Sequence, residues 1–153
     1  MPDLTIEPVT EKTFQDFLHL LEQLAVYEHL DPPCDSARVR LHDDILQTPP
    51  KIEAYLGRLG NEPAGFVTFC FTYSTFLARP TLYLEDIFVS GPYRKQGIGT
   101  RLFSFCRDEA RVRGCGRMDW MVLTWNLPSI AFYEKIGATR LGWYTYRLEE
   151  GQL

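Results

Sequence analysis

The chain has no apolar run of the length that spans a bilayer, so no membrane-crossing helix is expected. Its first residues hold no basic segment followed by an apolar stretch, so no secretory leader is expected either. Cysteine is sparse. Cys34, Cys70, Cys106 and Cys115 form no C-x-x-C pair and have no histidine at zinc spacing, which reads as four reduced thiols in a cytoplasmic protein. His19, His29 and His42 are scattered, and no metal site is expected. Basic residues are not in excess: 16 Lys and Arg stand against 20 Asp and Glu, a net charge of −4. That balance argues against nucleic-acid binding, which needs a basic face, and is compatible with a cationic substrate. Repeats, low-complexity tracts and linkers are also missing, so residues 1–153 read as one domain.

What is present is an ordinary globular composition, 45% hydrophobic and 24% charged, with strong local patterning. Leu4 to Val9 alternates and reads as a strand. Thr10 or Thr13 can cap a helix in which Phe14, Phe17, Leu18, Leu21, Leu24 and Ala25 share a face; it runs through Tyr27-Glu28 and stops before Pro32-Pro33. A second helix covers Ser36 to Gln47. Ile52 to Leu59 and Ala64 to Tyr73 read as an antiparallel hairpin turning at Gly60-Asn61-Glu62-Pro63. Ser74 to Pro80 is a loop, Leu82 to Val89 a strand, Thr100 to Arg113 a helix with Ile98, Leu102, Phe105, Cys106 and Ala110 on one side. Met118 to Thr124 reads as a strand, Pro128 to Ile136 as a short helix, and Trp143 to Leu148 as a last strand. The order β-α-α-β-β-β-α-β-α-β predicts an α/β fold, a mixed sheet with helices on both faces.

Two stretches carry chemistry. Tyr93-Arg94-Lys95-Gln96-Gly97-Ile98-Gly99-Thr100 joins an apolar strand to a helix. Such a turn aims backbone N–H groups and the positive end of a helix dipole at one place, and Gly97 and Gly99 admit a ligand without meeting a Cβ. A pyrophosphate fits there. The spacing is neither that of a Walker loop nor that of a dinucleotide fingerprint. The second stretch is Trp125-Asn126-Leu127-Pro128-Ser129-Ile130-Ala131-Phe132-Tyr133-Glu134-Lys135-Ile136-Gly137-Ala138, where Pro128 suits a first helical position and Gly137 a helix end.

Arg-x-x-Gly-x-Gly followed by Asn-x-x-Ser-x-x-Phe-Tyr-x-x-x-Gly-Ala resembles the two hallmarks of the GNAT superfamily of N-acyltransferases, in the family's order and over nearly the whole chain. The resemblance implies that family's largely antiparallel twisted sheet, acetyl-CoA as cosubstrate and no metal. It implies coenzyme contacts from Ile87, Phe88 and Val89, from Arg94, Lys95, Gln96, Gly97, Ile98, Gly99 and Thr100, and from Asn126 and Tyr133. Within the family, Tyr83-Leu84-Glu85-Asp86 and Leu24-Ala25-Val26-Tyr27-Glu28 resemble the spermidine/spermine branch and its thialysine-type relatives. Departures occur at Lys95, where glycine is common, at Thr124, where an acid often precedes Trp-Asn, and at Ala78 and Thr81.

The implied reaction is acetyl transfer by direct attack of a primary amine of a small diamine, polyamine or lysine/thialysine-like substrate. An alkylamine of pKa near 10.4 is about one part in a thousand free base at neutral pH, roughly 4 kcal/mol to offset; a carboxylate near the amine can bind the cation and then take its proton, directly or through water. Glu85 and Asp86 adjoin on a strand and, absent a bulge, point to opposite faces. By resemblance Glu85 is the base and Asp86 a substrate contact, with Tyr27 and Glu28 lining the amine pocket. Glu22 reads as a solvated helix position. A free N–H near Ile87 to Val89 stabilises the oxyanion, Tyr133 serves the leaving thiolate as acid, and Cys70 reads as core. Other readings are a protein N-terminal or aminoglycoside acetyltransferase, or a coenzyme-A-binding regulator without catalysis. The resemblance also implies a homodimer.

Overall fold

A computed structural model describes residues 3–153, which fall into two compact units, divided between Trp120 and Met121. The first holds strand β1 (Leu4–Pro8), helices α1 (Phe14–Glu28) and α2 (Asp35–Leu46), strands β2 (Glu53–Leu59), β3 (Glu62–Ser74) and β4 (Arg79–Val89), helix α3 (Ile98–Val112) and strand β5 (Arg117–Trp120). The strands lie in the order β1-β2-β3-β4-β5. All neighbours are antiparallel except β4 and β5, which run parallel and are joined through α3. This is the mixed, mostly antiparallel α/β architecture expected, with helices on both faces.

Helix α1 buries Phe14, Phe17, Leu18, Leu20, Leu24 and Ala25 on one stripe. That stripe meets Leu56, Phe66 and Phe88 of the sheet, and the Phe17 ring stands edge-on to Phe66 at 5.2 Å. Truncating Phe17 to alanine would remove about 3–5 kcal/mol. The helix ends at His29, whose left-handed backbone (φ 58°) turns its N–H back to Val26, while the Leu30 N–H reaches the Ala25 carbonyl. Tyr27 and Glu28 are thereby held at the last turn, over β4. Helix α3 covers the opposite face: Leu102 packs at Gly57 and Gly65, and Phe105 lies 4.7 Å from the Tyr55 ring. At Gly65 a Cβ would stand 2.5 Å from the Phe88 carbonyl oxygen, so only glycine lets β3 and β4 approach there.

The second unit contains helix α4 (Leu127–Lys135) and a terminal 3-10 turn, Glu150–Gln152. The strand expected over Trp143 to Leu148 is not formed; residues 138–149 run without regular structure. Alternation confers strand propensity, but a strand exists only through hydrogen bonds to a neighbour, and none pairs with this stretch among the described residues. Its aromatics stand open, Trp143 at 82%, Tyr144 at 90% and Tyr146 at 91% exposure. The strand expected over Met118 to Thr124 is Arg117–Trp120, shorter at its C-terminal side.

Candidate active site

Strand β4 does not pair evenly with β3. Val67 faces Ile87 and Thr68 faces Asp86, but Phe69 faces Leu84, so Glu85 is an extra residue on β4. Such a bulge has a clear cause. Leu82 and Leu84 are buried on the α3 face, opposite Phe71 and Phe69, whereas Phe88 is buried on the α1 face, opposite Phe66. Three even-numbered residues of a regular strand would share one face; the inserted residue lets both faces be filled. It also corrects the expectation for the two carboxylates. Counting from Tyr83, Glu85 points to the α1 face; counting back from Phe88, so does Asp86. They do not oppose each other.

Both therefore face the side where α1 ends. Asp86 is half-buried and accepts a hydrogen bond from the Thr68 hydroxyl at 2.5 Å. Its carboxyl is pushed up to about 6, chiefly by burial, against the Thr68 bond, with Glu85 and Glu28 adding repulsion. Glu28 is also raised, first by burial and then by Glu85. The face thus gathers three carboxylates, with the Arg94 guanidinium nearby over Tyr27 and Phe88. Tyr27 packs on Phe88 with ring centroids 6.5 Å apart. Glu22 pairs instead with Arg38 at 2.8 Å and takes no part.

The glycine turn starts where β4 ends. Gly97 is the residue before α3 and has φ 79°, and Lys95 is left-handed as well, at φ 61°. The second value shows why glycine suits position 95: a side chain there costs about 1–2 kcal/mol. No side chain caps α3. The Arg101 N–H is the first to bond back, to the Gly97 carbonyl at 3.1 Å, so the amides of Ile98, Gly99 and Thr100 precede the helical ladder. A Cβ on Gly97 would meet nothing within 4 Å, which describes an open cradle for an anion. Gln96 bonds back to the Pro92 carbonyl at 3.3 Å. Arg94 donates from Nε to the Val89 carbonyl at 2.9 Å and lays its guanidinium 4.8 Å from the Tyr27 ring and 5.5 Å from Phe88. β5 pairs with β4 only from Thr81 to Leu84, so no strand pairs with the β5-side edge of Glu85 to Val89, Ile87 and Phe88 included, among the described residues.

In the second unit Asn126 is buried and its side-chain oxygen accepts the Ser129 N–H at 3.3 Å, capping α4. Tyr133 lies about two turns further on, half-buried, its ring 5.5 Å from Phe132. Three residues that sequence reasoning missed belong to the β3–β4 face: Thr68, through its bond to Asp86, and the cross-strand pair Cys70 and Tyr83. Cys70 is not core as expected. It is half-buried, and its thiol is raised by burial and then by Glu85. The polar alternation Thr68-x-Cys70-x-Thr72 was the available signal.

A mixed sheet with a glycine turn opening α3 and an unpaired β4 edge fits the coenzyme-binding acyltransferase fold that the sequence motifs resemble. The Acetyltransferase (GNAT) family profile matches residues 14–138, and the chain belongs to that family. It is an acetyl-CoA-dependent N-acetyltransferase. It is 28% identical to a thialysine N-epsilon-acetyltransferase of Caenorhabditis elegans over 97% of this chain and 94% of that protein. It is 45% identical to an L-ornithine N5-acetyltransferase of Arabidopsis thaliana over 49% of this chain and 33% of that protein. Among solved structures, an aminoglycoside N-acetyltransferase in complex with CoA superposes with a TM-score of 0.81 at 18% identity, covering 98% of this chain and 97% of that one, which shows the shared fold. No helix among the described residues is long and apolar enough to cross a membrane.

Proposed function

We propose that residues 1–153 act as one domain that acetylates a primary amine of a small diamine, polyamine or lysine/thialysine-like substrate by direct attack. The observation that carries this reading is the β4 bulge, which turns Glu85 and Asp86 to the face where Tyr27 and Glu28 close α1. Three carboxylates meeting on one face suit an acceptor with more than one cationic or polar group. The names of the relatives, thialysine and ornithine acetyltransferases, agree with such an acceptor.

Acetyl-CoA, when bound, supplies the acetyl group as an activated thioester. The cradle of Gln96, Gly97, Ile98, Gly99 and Thr100 suits its pyrophosphate, with Arg94 and Lys95 as the nearby cations. Glu85 binds the acceptor ammonium and takes its proton, directly or through water, leaving the free amine. An N–H of the open edge at Ile87, Phe88 or Val89 holds the negative charge that develops. The resemblance assigns Asn126 to the pantetheine arm and Tyr133 to proton donation at the sulfur. A phenol of pKa near 10 gives its proton to a thiolate of pKa near 8.5 uphill by about 2 kcal/mol, and a pre-organised hydrogen bond from it helps in either case. Tyr133→Phe should lower kcat by about tenfold to a hundredfold with little change in coenzyme affinity.

The test is thiol release with a diamine, a thialysine-like amino acid and a matched monoamine. The first two should exceed the monoamine at least about tenfold in kcat/KM, since each shielded charge-assisted contact contributes about 1.5–3 kcal/mol. Glu28→Gln should narrow the gap. Equal values for all three, unaltered in Glu28→Gln, would leave only a generic acetyltransferase. The homodimer is part of the same proposal and is read by sedimentation equilibrium.

A further inference from the structure

The site face continues past the carboxylates. Under α1 the strands present Phe66 and Phe88; beyond its end they present Thr68 and Cys70 on β3, and Asp86, Glu85 and Tyr83 on β4. Cys70 and Tyr83 are directly opposed and both half-buried. The geometry points to this pair as the wall along which the carbon chain of the acceptor lies, so that Cys70 and Tyr83 select the length and end group of the amine. The inference rests on the proposed amine acetyltransfer and specifies its substrate.

Three observations carry it. First, both groups sit in the field of the carboxylate assigned as base: the Tyr83 phenol is raised by burial and then by Glu85, as the Cys70 thiol is. Second, Tyr83 is two residues from Glu85, about 7 Å along a strand. A chain of about four or five carbons spans that length at about 1.3 Å of projection per bond. Its far end would meet a phenol oxygen, which accepts from an ammonium and donates to a carboxylate. Third, the same row runs on to Thr81, opposite Thr72, whose hydroxyl is buried and has no hydrogen-bond partner in the structure. A polar end group is the kind of guest that such a row accommodates. Cys70 is small, and a larger side chain at that position would shorten the room for the chain along the wall.

The experiment follows Cys70 itself. In a Cys34→Ser/Cys115→Ser background Cys106 stays silent, being fully buried with its thiol pushed up to about 12. Iodoacetamide then reads Cys70, by peptide mass spectrometry. Without coenzyme, butane- or pentanediamine at saturating concentration should slow Cys70 alkylation at least about fivefold, and propanediamine less. In turnover, Cys70→Leu should lower the pentane-to-propane ratio of kcat/KM about tenfold, a usual size for one changed pocket contact. Tyr83→Phe should lower the preference for diamine over monoamine. Alkylation that no diamine slows, in a protein that does acetylate diamines, overturns this inference alone; absence of thiol release with every amine overturns the function it rests on. The alkylation arm keeps Cys70 in place and so stands even if Cys70→Leu fails to fold.

Discussion

The glycine turn and the β4 bulge lie at the two ends of one short segment, and they are built in opposite ways. The turn works through its backbone. Its side chains are mostly exposed, no side chain caps the helix it opens, and its use depends on what is missing at Gly97 and Gly99. The bulge works through its side chains. Its backbone irregularity only aims Glu85 and Asp86, and everything after that is charge, burial and the hydroxyl of Thr68. The turn should thus be most sensitive to added atoms and less so to charge, whereas the bulge should be sensitive to charge at constant shape.

The largest effect expected is at the turn. In Gly99→Val the new Cβ has room, its nearest neighbour being Val89 at 3.8 Å, so the fold is kept while the side chain blocks the amides. Coenzyme affinity should fall more than about a hundredfold, ~2.7 kcal/mol by calorimetry. Unchanged affinity would remove the turn from the coenzyme site. Next is Glu85→Gln, the same shape without the charge. It should cost about a hundredfold in kcat/KM, most visible on the acid limb of the pH profile, with coenzyme affinity intact. Loss of coenzyme binding instead would break the division between the two regions.

Asp86→Asn separates binding from stability. The folded Asp86 holds its proton up to about pH 6 against an ordinary 3.8. The stability this lends is full below about 3.8 and is lost as pH rises through about 6. The asparagine never ionises, so the variant should gain on its parent across that window and lead by about 3 kcal/mol above it. Urea unfolding at about pH 5 and about pH 8 measures the difference. Diamine turnover should fall about tenfold at the same time, the trade expected where a site stores repulsion for a cation. The smallest effect is Lys95→Gly, which relieves the left-handed backbone at φ 61° and should stabilise by up to about 1 kcal/mol, while loss of its exposed cation weakens coenzyme binding by at most about fivefold.

These two regions also differ in how far the sequence reveals them. The turn is local: glycines, a preceding apolar strand and a following amphipathic helix lie in one stretch, and the structure forms the turn there. The apolar spacing of α1 and α3 was legible for the same reason. The bulge depends on pairing with β3 and on which face each of Leu82, Leu84 and Phe88 must fill, a competition between two sheet faces that no single strand states. The same blindness to partners applies at the last expected strand. Trp143-Tyr144-Thr145-Tyr146 has the right alternation, but nothing in a sequence says whether a neighbouring edge is available. Thr68, Cys70 and Tyr83 were missed because their relevance passes through the register of Glu85.

Arg94 belongs to both regions at once. It sits in the turn by sequence, but its guanidinium lies over Tyr27 and Phe88, on the aromatic wall of the amine side. An arriving ammonium meets that charge first. A phosphate in the cradle competes for it, and whatever draws Arg94 off the ring lowers the local positive potential the second cation must face. The two ligands are then thermodynamically linked, and the linkage is mutual: coenzyme tightens amine by the same factor by which amine tightens coenzyme. Amine titrations with and without coenzyme A, in the parent and in Arg94→Gln, would show the factor and its collapse toward unity. The coupling between the two ligands would then run through a single side chain lying across an aromatic ring.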